Sequence, residues 1–255
     1  MKHLCIVLSL LFLAGGARAD LSLVGRSTVH AMGMQGIGQE GLWLSKTQLR
    51  RDLVDRGKAY SHLYDLASRE ITVVDHSLRQ ATVYTMSSLN QDADARFSSK
   101  DLKLDLDPTG RKHQLQGWNC VEHKLRSSMP AEVGGEKVSF AMDGTLWLAK
   151  NAPEQRETSA FVKAAQEPDF FMGIPALAKN SPGQAKGMSE VVRRLAPLGL
   201  LCAVDVNIRY EGTGRMAELS RKLASRIAVT YDKYSTDALK RDVFDVPKGY
   251  RVIKQ

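Results

Sequence analysis

Apolar and polar residues alternate along much of this 255-residue chain, and the longest such run begins at Leu200. Every second residue from Leu200 to Tyr210 is apolar, and Asp205, Asn207 and Arg209 stand between the later ones. Successive side chains of a β-strand point to opposite faces of the sheet, so this pattern predicts a strand with one buried and one hydrated face. Antiparallel sheets commonly have strands of this kind.

The same alternation predicts strands along the rest of the chain. The candidate segments are residues 138–143 and 227–231 in the second half, and 21–32, 41–51, 58–65, 70–75, 80–86, 102–107 and 112–125 in the first. Because the connections between them are short and sequential, an antiparallel meander is expected. The dipeptide Asp143-Gly144 favours a type I′ hairpin, so a turn is predicted there.

Two stretches have helical spacing instead. Residues 154–166 carry apolar side chains on one helical face and end before a proline. Ser181-Pro182 then provides an N-cap followed by a residue suited to the first helical turn, which predicts a helix over residues 182–196. Its apolar face would contain Ala185, Met188, Val192 and Leu195. A weaker third helix is predicted over residues 89–97.

The N-terminus has the features of a secretory signal peptide. Lys2 precedes an apolar run from Leu4 to Leu13, and Ala17-Arg18-Ala19 matches the small-residue pattern of a cleavage site. A membrane anchor is the alternative, but the run is shorter than the roughly 20 residues that a spanning helix needs. We therefore expect cleavage before Asp20, a periplasmic or secreted product, and one domain over residues 20–255.

The charge of the chain bears on its partners. The formal net charge is +8 at pH 7, and removal of residues 1–19 takes away two basic residues and no acid. This charge suits an anionic membrane surface or an acidic partner, although an ordinary hydrated basic surface is the favoured interpretation, because no run of lysine and arginine is long enough to form a patch. Basic and aromatic residues do not cluster together, so no nucleic-acid partner is expected. The sequence leaves the oligomeric state open.

Two cysteines, Cys120 and Cys202, remain after the predicted cleavage. An exported protein meets an oxidising compartment, in which such a pair can form a disulfide. Two separate buried thiols are the alternative, because the sequence does not show whether the two residues lie within reach of each other.

Motifs for catalysis or metal binding are absent from the sequence. The glycine-rich residues 33–38 have neither the glycine order of a dinucleotide-binding loop nor a phosphate-binding lysine. Cys120 and His123 are three residues apart, so on a strand they would point to opposite faces and could not share a metal. No nucleophile motif is found. We therefore predict no catalytic residues, no metal, no cofactor and no enzymatic activity.

Three segments resemble a known family. They are Gly117-Trp118-Asn119-Cys120, then Leu146-Trp147-Leu148-Ala149-Lys150, and then Phe244-Asp245-Val246-Pro247-Lys248-Gly249-Tyr250. In their order they resemble the domain-of-unknown-function 4412 family of exported bacterial proteins, whose fold is grouped with the LolA-like lipoprotein carriers. The resemblance implies an α+β fold, mostly β: a curved antiparallel sheet forming an open half-barrel, with two or three helices covering its concave face. The helices would come mainly from an insertion at about residues 152–197.

In LolA-like carriers the concave apolar face holds acyl chains. We therefore predict an envelope protein that binds a hydrophobic or acylated ligand, such as a lipid, in the half-barrel cavity. The predicted cavity lining is Phe140, Met142, Leu146, Leu148, Val204 and Val206, and the predicted lid residues are Met188, Val192 and Leu195. The first alternative is a structural or regulatory interaction module whose core is filled by its own side chains. An enzyme is the second alternative, and it would need a polar cluster of His, Asp or Glu inside the concavity.

Overall fold

The computed structural model describes residues 20–31, 34–55, 57–94, 99–115, 117–150, 152, 158–167, 170–172, 182–223 and 225–255. The predicted signal peptide, residues 1–19, lies outside the described residues.

Alternating residues form the strands, as predicted, and all of these strands join one sheet. The strands are β1 (Asp20–Ala31), β2 (Met34–Ser45), β3 (Gln48–Asp55), β4 (Lys58–Asp65), β5 (Glu70–Asp75), β6 (Gln80–Thr85), β7 (Lys103–Leu115), β8 (Trp118–Val133), β9 (Glu136–Ala149), β10 (Leu200–Glu211), β11 (Ser225–Ser235) and β12 (Arg251–Lys254). Their order is β12-β6-β5-β4-β3-β2-β1-β11-β10-β9-β8-β7. The sheet is large and curved, and within the described residues it does not close, because β7 and β12 are its two edges.

Every neighbouring pair of strands is antiparallel except β12 and β6, which run parallel. The antiparallel, mostly β prediction is therefore confirmed. Two of the predicted strands were wrong, because each corresponds to parts of two strands joined by a turn. Residues 41–51 are divided between β2 and β3 by a turn at Lys46 and Thr47, and residues 112–125 are divided between β7 and β8 by a turn that includes Gly117, whose φ is +83°.

Four helices are present in the described ranges: α1 (Met86–Asp94), α2 (Ser159–Ala165), α3 (Pro182–Leu195) and α4 (Arg215–Lys222). Helix α3 agrees with the prediction for residues 182–196, whereas α1 begins three residues before the predicted start. The sequence analysis missed α4, since this short helix depends on tertiary contacts. The backbone N–H of Met216 donates to Glu136 Oε2, and Ser220 Oγ accepts from the N–H of Tyr210.

The helices and the sheet bury one common face, which we call the inner face. One apolar cluster joins Leu21, Leu44 and Leu49 of the sheet to Leu89 of α1 and Ala185 of α3. A second cluster lies further along the same face, around Phe140, Met129 and Leu146, and includes Val191 of α3. Helices α1, α2 and α3 therefore cover parts of the inner face. No helix in the described ranges combines the length and the apolar character needed to cross a bilayer.

The turn predicted at Asp143-Gly144 was wrong. Strand β9 runs through both residues without interruption, and its hairpin with β8 turns instead at Gly134 and Gly135, which have φ values of +60° and +82°. Gly144 instead allows β9 and β10 to approach each other closely, because a Cβ atom there would lie 2.1 Å from the carbonyl oxygen of Asp205 on β10. A glycine inside a strand often marks such a close approach of another backbone.

Cys120 of β8 and Cys202 of β10 form a disulfide, so the bridged alternative is confirmed. The bond passes over β9, because Cys120 is paired with Ala149, and Ala149 with Leu200. Strands two apart in a sheet are normally separated by roughly 9.5 Å, whereas the two Cα atoms are 6.6 Å apart. The register between β9 and β10 shifts around Cys202, and this irregularity helps bring the bridged residues together.

The outer face of β4, β5 and β6 is covered by the C-terminal segment. Val246 and Tyr250 pack on a small cluster of Leu63, Val74 and Ala81. Arg50 Nη1 donates to the carbonyl oxygen of Val243 at 2.8 Å, which fixes the segment before it reaches β12.

Candidate functional site

Most residues of the predicted cavity lining lie together on the inner face. Phe140, Met142, Leu146 and Val206 are buried in the second cluster, and Val204 packs against it while only partly buried. The lid residues Met188 and Leu195 contact the same cluster. Leu148 is buried but does not belong to this cluster, and Val192 is half-buried outside it.

Helix α3 rests directly on this part of the sheet. A Cβ atom at Gly187 of α3 would lie 1.8 Å from Sδ of Met129 on β8, so the helix approaches closely because this position is a glycine. Lys186 Nζ donates to Asn90 Oδ1 of α1 at 2.7 Å, and Ser189 Oγ accepts from the N–H of Met172 at 2.9 Å. The chain's own side chains thus occupy much of the space beneath α3. Binding of a ligand by the nine predicted residues stays a prediction.

One pocket lies elsewhere, near the N-terminal end of α3 and the start of β7. Its volume is about 540 Å³, and its lining is small and charged: Asp101, Lys103, Ser128, Pro130, Ala131, Glu132, Lys137, Val138, Ser139, Gly183 and Glu211. Two further pockets, of about 460 and 140 Å³, lie at the end of α3 and beneath the C-terminal segment. None of the nine predicted residues lines any of these three.

The inner face also carries a polar cluster that the sequence analysis did not predict. We call Glu40, Arg51, His62, Tyr64 and Tyr231 the Arg51 cluster. Directly opposed residues of antiparallel strands share a face of the sheet. Glu40 lies opposite Gly25, which lies opposite Tyr231. Arg51 lies between Leu42 and His62. The cluster therefore spans five neighbouring strands, from β11 to β4.

An ion pair is the centre of the Arg51 cluster. Arg51 Nε donates to Glu40 Oε2 at 3.2 Å, and Arg51 Nη2 lies 3.2 Å from Oε1 and 3.1 Å from Oε2. The Glu40 side chain is only 7% exposed, whereas that of Arg51 is 36% exposed. Arg51 Nη1 has no hydrogen-bond partner among the described residues. A partly exposed arginine side chain thus lies among buried neighbours.

Burial sets the protonation of the other members. It lowers the pKa of His62 to about 4, with Arg51 acting in the same direction. Burial also raises the pKa of Tyr64 and that of Tyr231 to about 12, although the positive charge of Arg51 opposes this shift. Burial is the largest single influence on the pKa of Arg51 and would lower it, but the charge and hydrogen bonds of Glu40 together with Tyr231 and Tyr64 outweigh burial, and the pKa is raised. Near neutral pH the cluster therefore contains one ion pair, a neutral imidazole and two phenol hydroxyls.

Strand positions could have revealed this cluster. In β3 the inner-face series reads Leu49, Arg51, Leu53, and in β2 it reads Glu40, Leu42, Leu44. A charged residue at an inner position of a one-sided strand is costly unless it is paired. One acid and one base at such positions in neighbouring strands are therefore the pattern that predicts a buried pair.

A second chain of polar side chains lies on the outer face. Ser61 Oγ is 2.8 Å from His76 Nε2, and His76 Nδ1 is 3.1 Å from the hydroxyl of Tyr250. Ser61 is only 1% exposed, so a substrate does not reach its hydroxyl. These bonds attach the C-terminal segment to β4 and β5. Among the described residues, no group of three or more His, Cys, Asp or Glu side chains could hold a metal ion.

Comparisons with known proteins identify no family. No protein-family model matches the chain, and no curated protein matches it. Membership of the domain-of-unknown-function 4412 family is therefore not shown.

Among solved structures, that of PNGF-II aligns with a TM-score of 0.37 and 9% identity, over 92% of this chain and 31% of PNGF-II. The chain thus spans about a third of the length of that protein. A DUF1329 family protein from Desulfovibrio piger aligns with a TM-score of 0.22 and 10% identity, over 90% of this chain and 91% of its own. Both likenesses are too weak to indicate a function, which must be inferred from the residues of this chain.

Proposed function

We propose that the protein is exported and binds a hydrophobic or acylated ligand on the inner face of its curved sheet. The observation that carries this proposal is the strip of apolar surface between the two core clusters. Leu201, Val204 and Ile227 pack against both clusters and are nevertheless only partly buried. Apolar surface on a concave face, next to a few convergent polar groups, is the usual composition of a small-molecule site.

Two further points support the proposal. The disulfide is compatible with an oxidising compartment, where such bonds persist. The resemblance to LolA-like half-barrels also points towards a ligand on the inner face. Each CH₂ group of an acyl chain that leaves water there would contribute about 0.8 kcal/mol, so that a strip of a few side chains suffices for useful affinity.

A second candidate function is a structural or regulatory envelope module with a filled core. The close packing of Gly187 on Met129 favours it, because this contact leaves little room between α3 and β8. The two candidates differ in whether the strip at Leu201, Val204 and Ile227 accepts a ligand.

Substitution of Ile227 tests the proposal. The protein is purified from the cell envelope, examined by native mass spectrometry for bound lipid, and titrated with a fluorescent fatty acid. Ile227→Trp fills the strip, and we expect its affinity for the probe to fall at least tenfold.

Thr230→Trp is the matched control, because Thr230 is exposed on the outer face of the same strand. It should bind like the wild type. If the wild type carries no lipid and shows no saturable binding at micromolar probe, the filled-core module replaces the carrier.

A further inference from the structure

We propose that the Arg51 cluster is the binding site for the oxyanion head group, a carboxylate or a phosphate, of the ligand whose apolar part lies along the strip. This inference rests on the proposed function and names the class of ligand: an amphiphile with an anionic head and an acyl chain.

The hydrogen-bonding capacity of Arg51 is the first argument. A guanidinium has five N–H donors. Glu40 is bound through Nε and Nη2, so both hydrogens on Nη1 remain for another acceptor. Arginine is the side chain best suited to carboxylate and phosphate oxygens, since its planar array of donors matches their geometry. The neutral hydroxyls of Tyr64 and Tyr231 belong to the same cluster and are also donors.

Exposure is the second argument. An ion pair that served only the core would be expected to be covered on both sides, because a buried pair gains its stability from good geometry and further hydrogen bonds. Here the Glu40 side chain is covered, but the Arg51 side chain is 36% exposed. His62, Tyr64 and Tyr231 around it are each buried. Arg51 is thus the partly exposed member of a cluster whose other members are buried.

The position of the cluster relative to the strip is the third argument. On β11 the inner-face series is Ile227, Val229 and Tyr231, so the phenol of the cluster and the apolar strip occupy one strand. Four residues of extended strand span roughly 13 Å. Gly25, between Glu40 and Tyr231, leaves no side chain on the inner face at that point. A ligand with its head at Arg51 and an extended acyl chain longer than this distance would therefore reach Val204 and Ile227.

Three ligands with the same chain and different heads test the inference: hexadecanoic acid, hexadecyl phosphate and methyl hexadecanoate. Each displaces a bound fluorescent probe from the envelope-purified protein. We expect one or both of the charged ligands to bind at least tenfold more tightly than the methyl ester. The preferred head then identifies the oxyanion as carboxylate or phosphate.

The paired variant Arg51→Met/Glu40→Gln removes the cation without leaving a buried carboxylate unpaired. It should bind all three ligands within twofold of the ester affinity of the wild type. Arg209→Met, on the exposed outer face, is the control and should keep the preference. Binding of the ester as tightly as the acids by the wild type, or a preference that survives in the paired variant, would overturn the head-group site and leave the proposed function standing. Failure of all three ligands to bind would instead remove the proposed function.

Discussion

Single glycines determine how closely the strands of this sheet approach one another. A Cβ atom at Gly25 would lie 2.2 Å from the carbonyl oxygen of Thr230, and one at Gly144 would lie 2.1 Å from that of Asp205. Both obstacles are backbone atoms of a neighbouring strand, so they cannot turn aside as a side chain would. These two glycines are therefore required by the sheet itself.

We predict that Gly144→Ala lowers the free energy of unfolding by about 2–3 kcal/mol, the size of effect found when backbone has to move. Gly36→Ala is the matched control on β2, where the nearest atom to the added methyl group is 4.0 Å away. It should stay within about 0.5 kcal/mol of the wild type. Urea unfolding followed by circular dichroism measures both, and equal effects of the two substitutions would contradict the explanation.

His62 should make the stability of the protein depend on pH. Its pKa is lowered from 6.5 to about 4 in the fold. The unfolded chain therefore binds more protons between these values, so stability is fully present above pH 6.5 and is lost as the pH falls towards 4. A shift of this size corresponds to a loss on the order of 3 kcal/mol.

His62→Gln should remove most of this dependence. Unfolding free energies of the wild type and the variant, measured at several values from pH 4 to pH 7, compare the two slopes. Identical slopes would mean that other groups cause the dependence.

At the scale of elements, alternation and short connections predicted the strands and their pairing with sequential neighbours, but not the long-range pairings of β1 with β11 and of β12 with β6. The alternating run from Leu200 to Tyr210 matches β10 almost to the residue. A strand that buries one face shows this alternation in its own sequence, whichever strands it pairs with. The pairing of β1 with β11 joins residues about 200 positions apart, and no local pattern contains it. Helix α4 and the parallel pairing of β12 were missed for the same reason: distant parts of the chain stabilise them.

The disulfide is the element-scale link with the clearest measurable effect. It closes a loop between residues separated by 82 positions. Chain entropy then gives a stabilisation of about 4 kcal/mol. We expect Cys120→Ala/Cys202→Ala to lose this amount in urea unfolding.

Alkylation provides a separate measurement of the bond. The envelope-purified protein, denatured without reduction, should take up no alkylating reagent on Cys120 or Cys202, and both should be labelled after reduction. Labelling before reduction would show that the thiols are free.

At the scale of the whole molecule, the two faces of the sheet differ in their chemistry. The inner face is mostly apolar and includes the Arg51 cluster. Pairs of arginine and aspartate cross the outer face from strand to strand: Arg26–Asp232, Arg226–Asp205, Arg209–Asp143 and Arg126–Asp107. Exposed pairs of this kind contribute little each. Their main effect is to keep the outer face hydrated.

Only part of the candidate site could be predicted from the sequence. The apolar strip could be predicted, because Val204 and its neighbours follow the alternation of apolar and polar residues. The Arg51 cluster was not predicted: Glu40 and Arg51 lie at inner positions of sequential strands and could have indicated a buried pair, whereas Tyr231 joins them only through the pairing of β1 with β11. Each residue taken alone looks like an ordinary polar position. Only the sheet brings the five together.

The bridge between Cys120 and Cys202 also governs what proteolysis could release. Both α2 and α3 lie within the covalently closed loop that it forms. A protease that cut the chain once, anywhere between the two cysteines, would leave both pieces joined by the sulfur–sulfur bond. The nicked protein would keep its mass, apart from one added water, until a reductant separated the fragments. Loss of the helices from the inner face thus requires a second cut or the loss of the bridge.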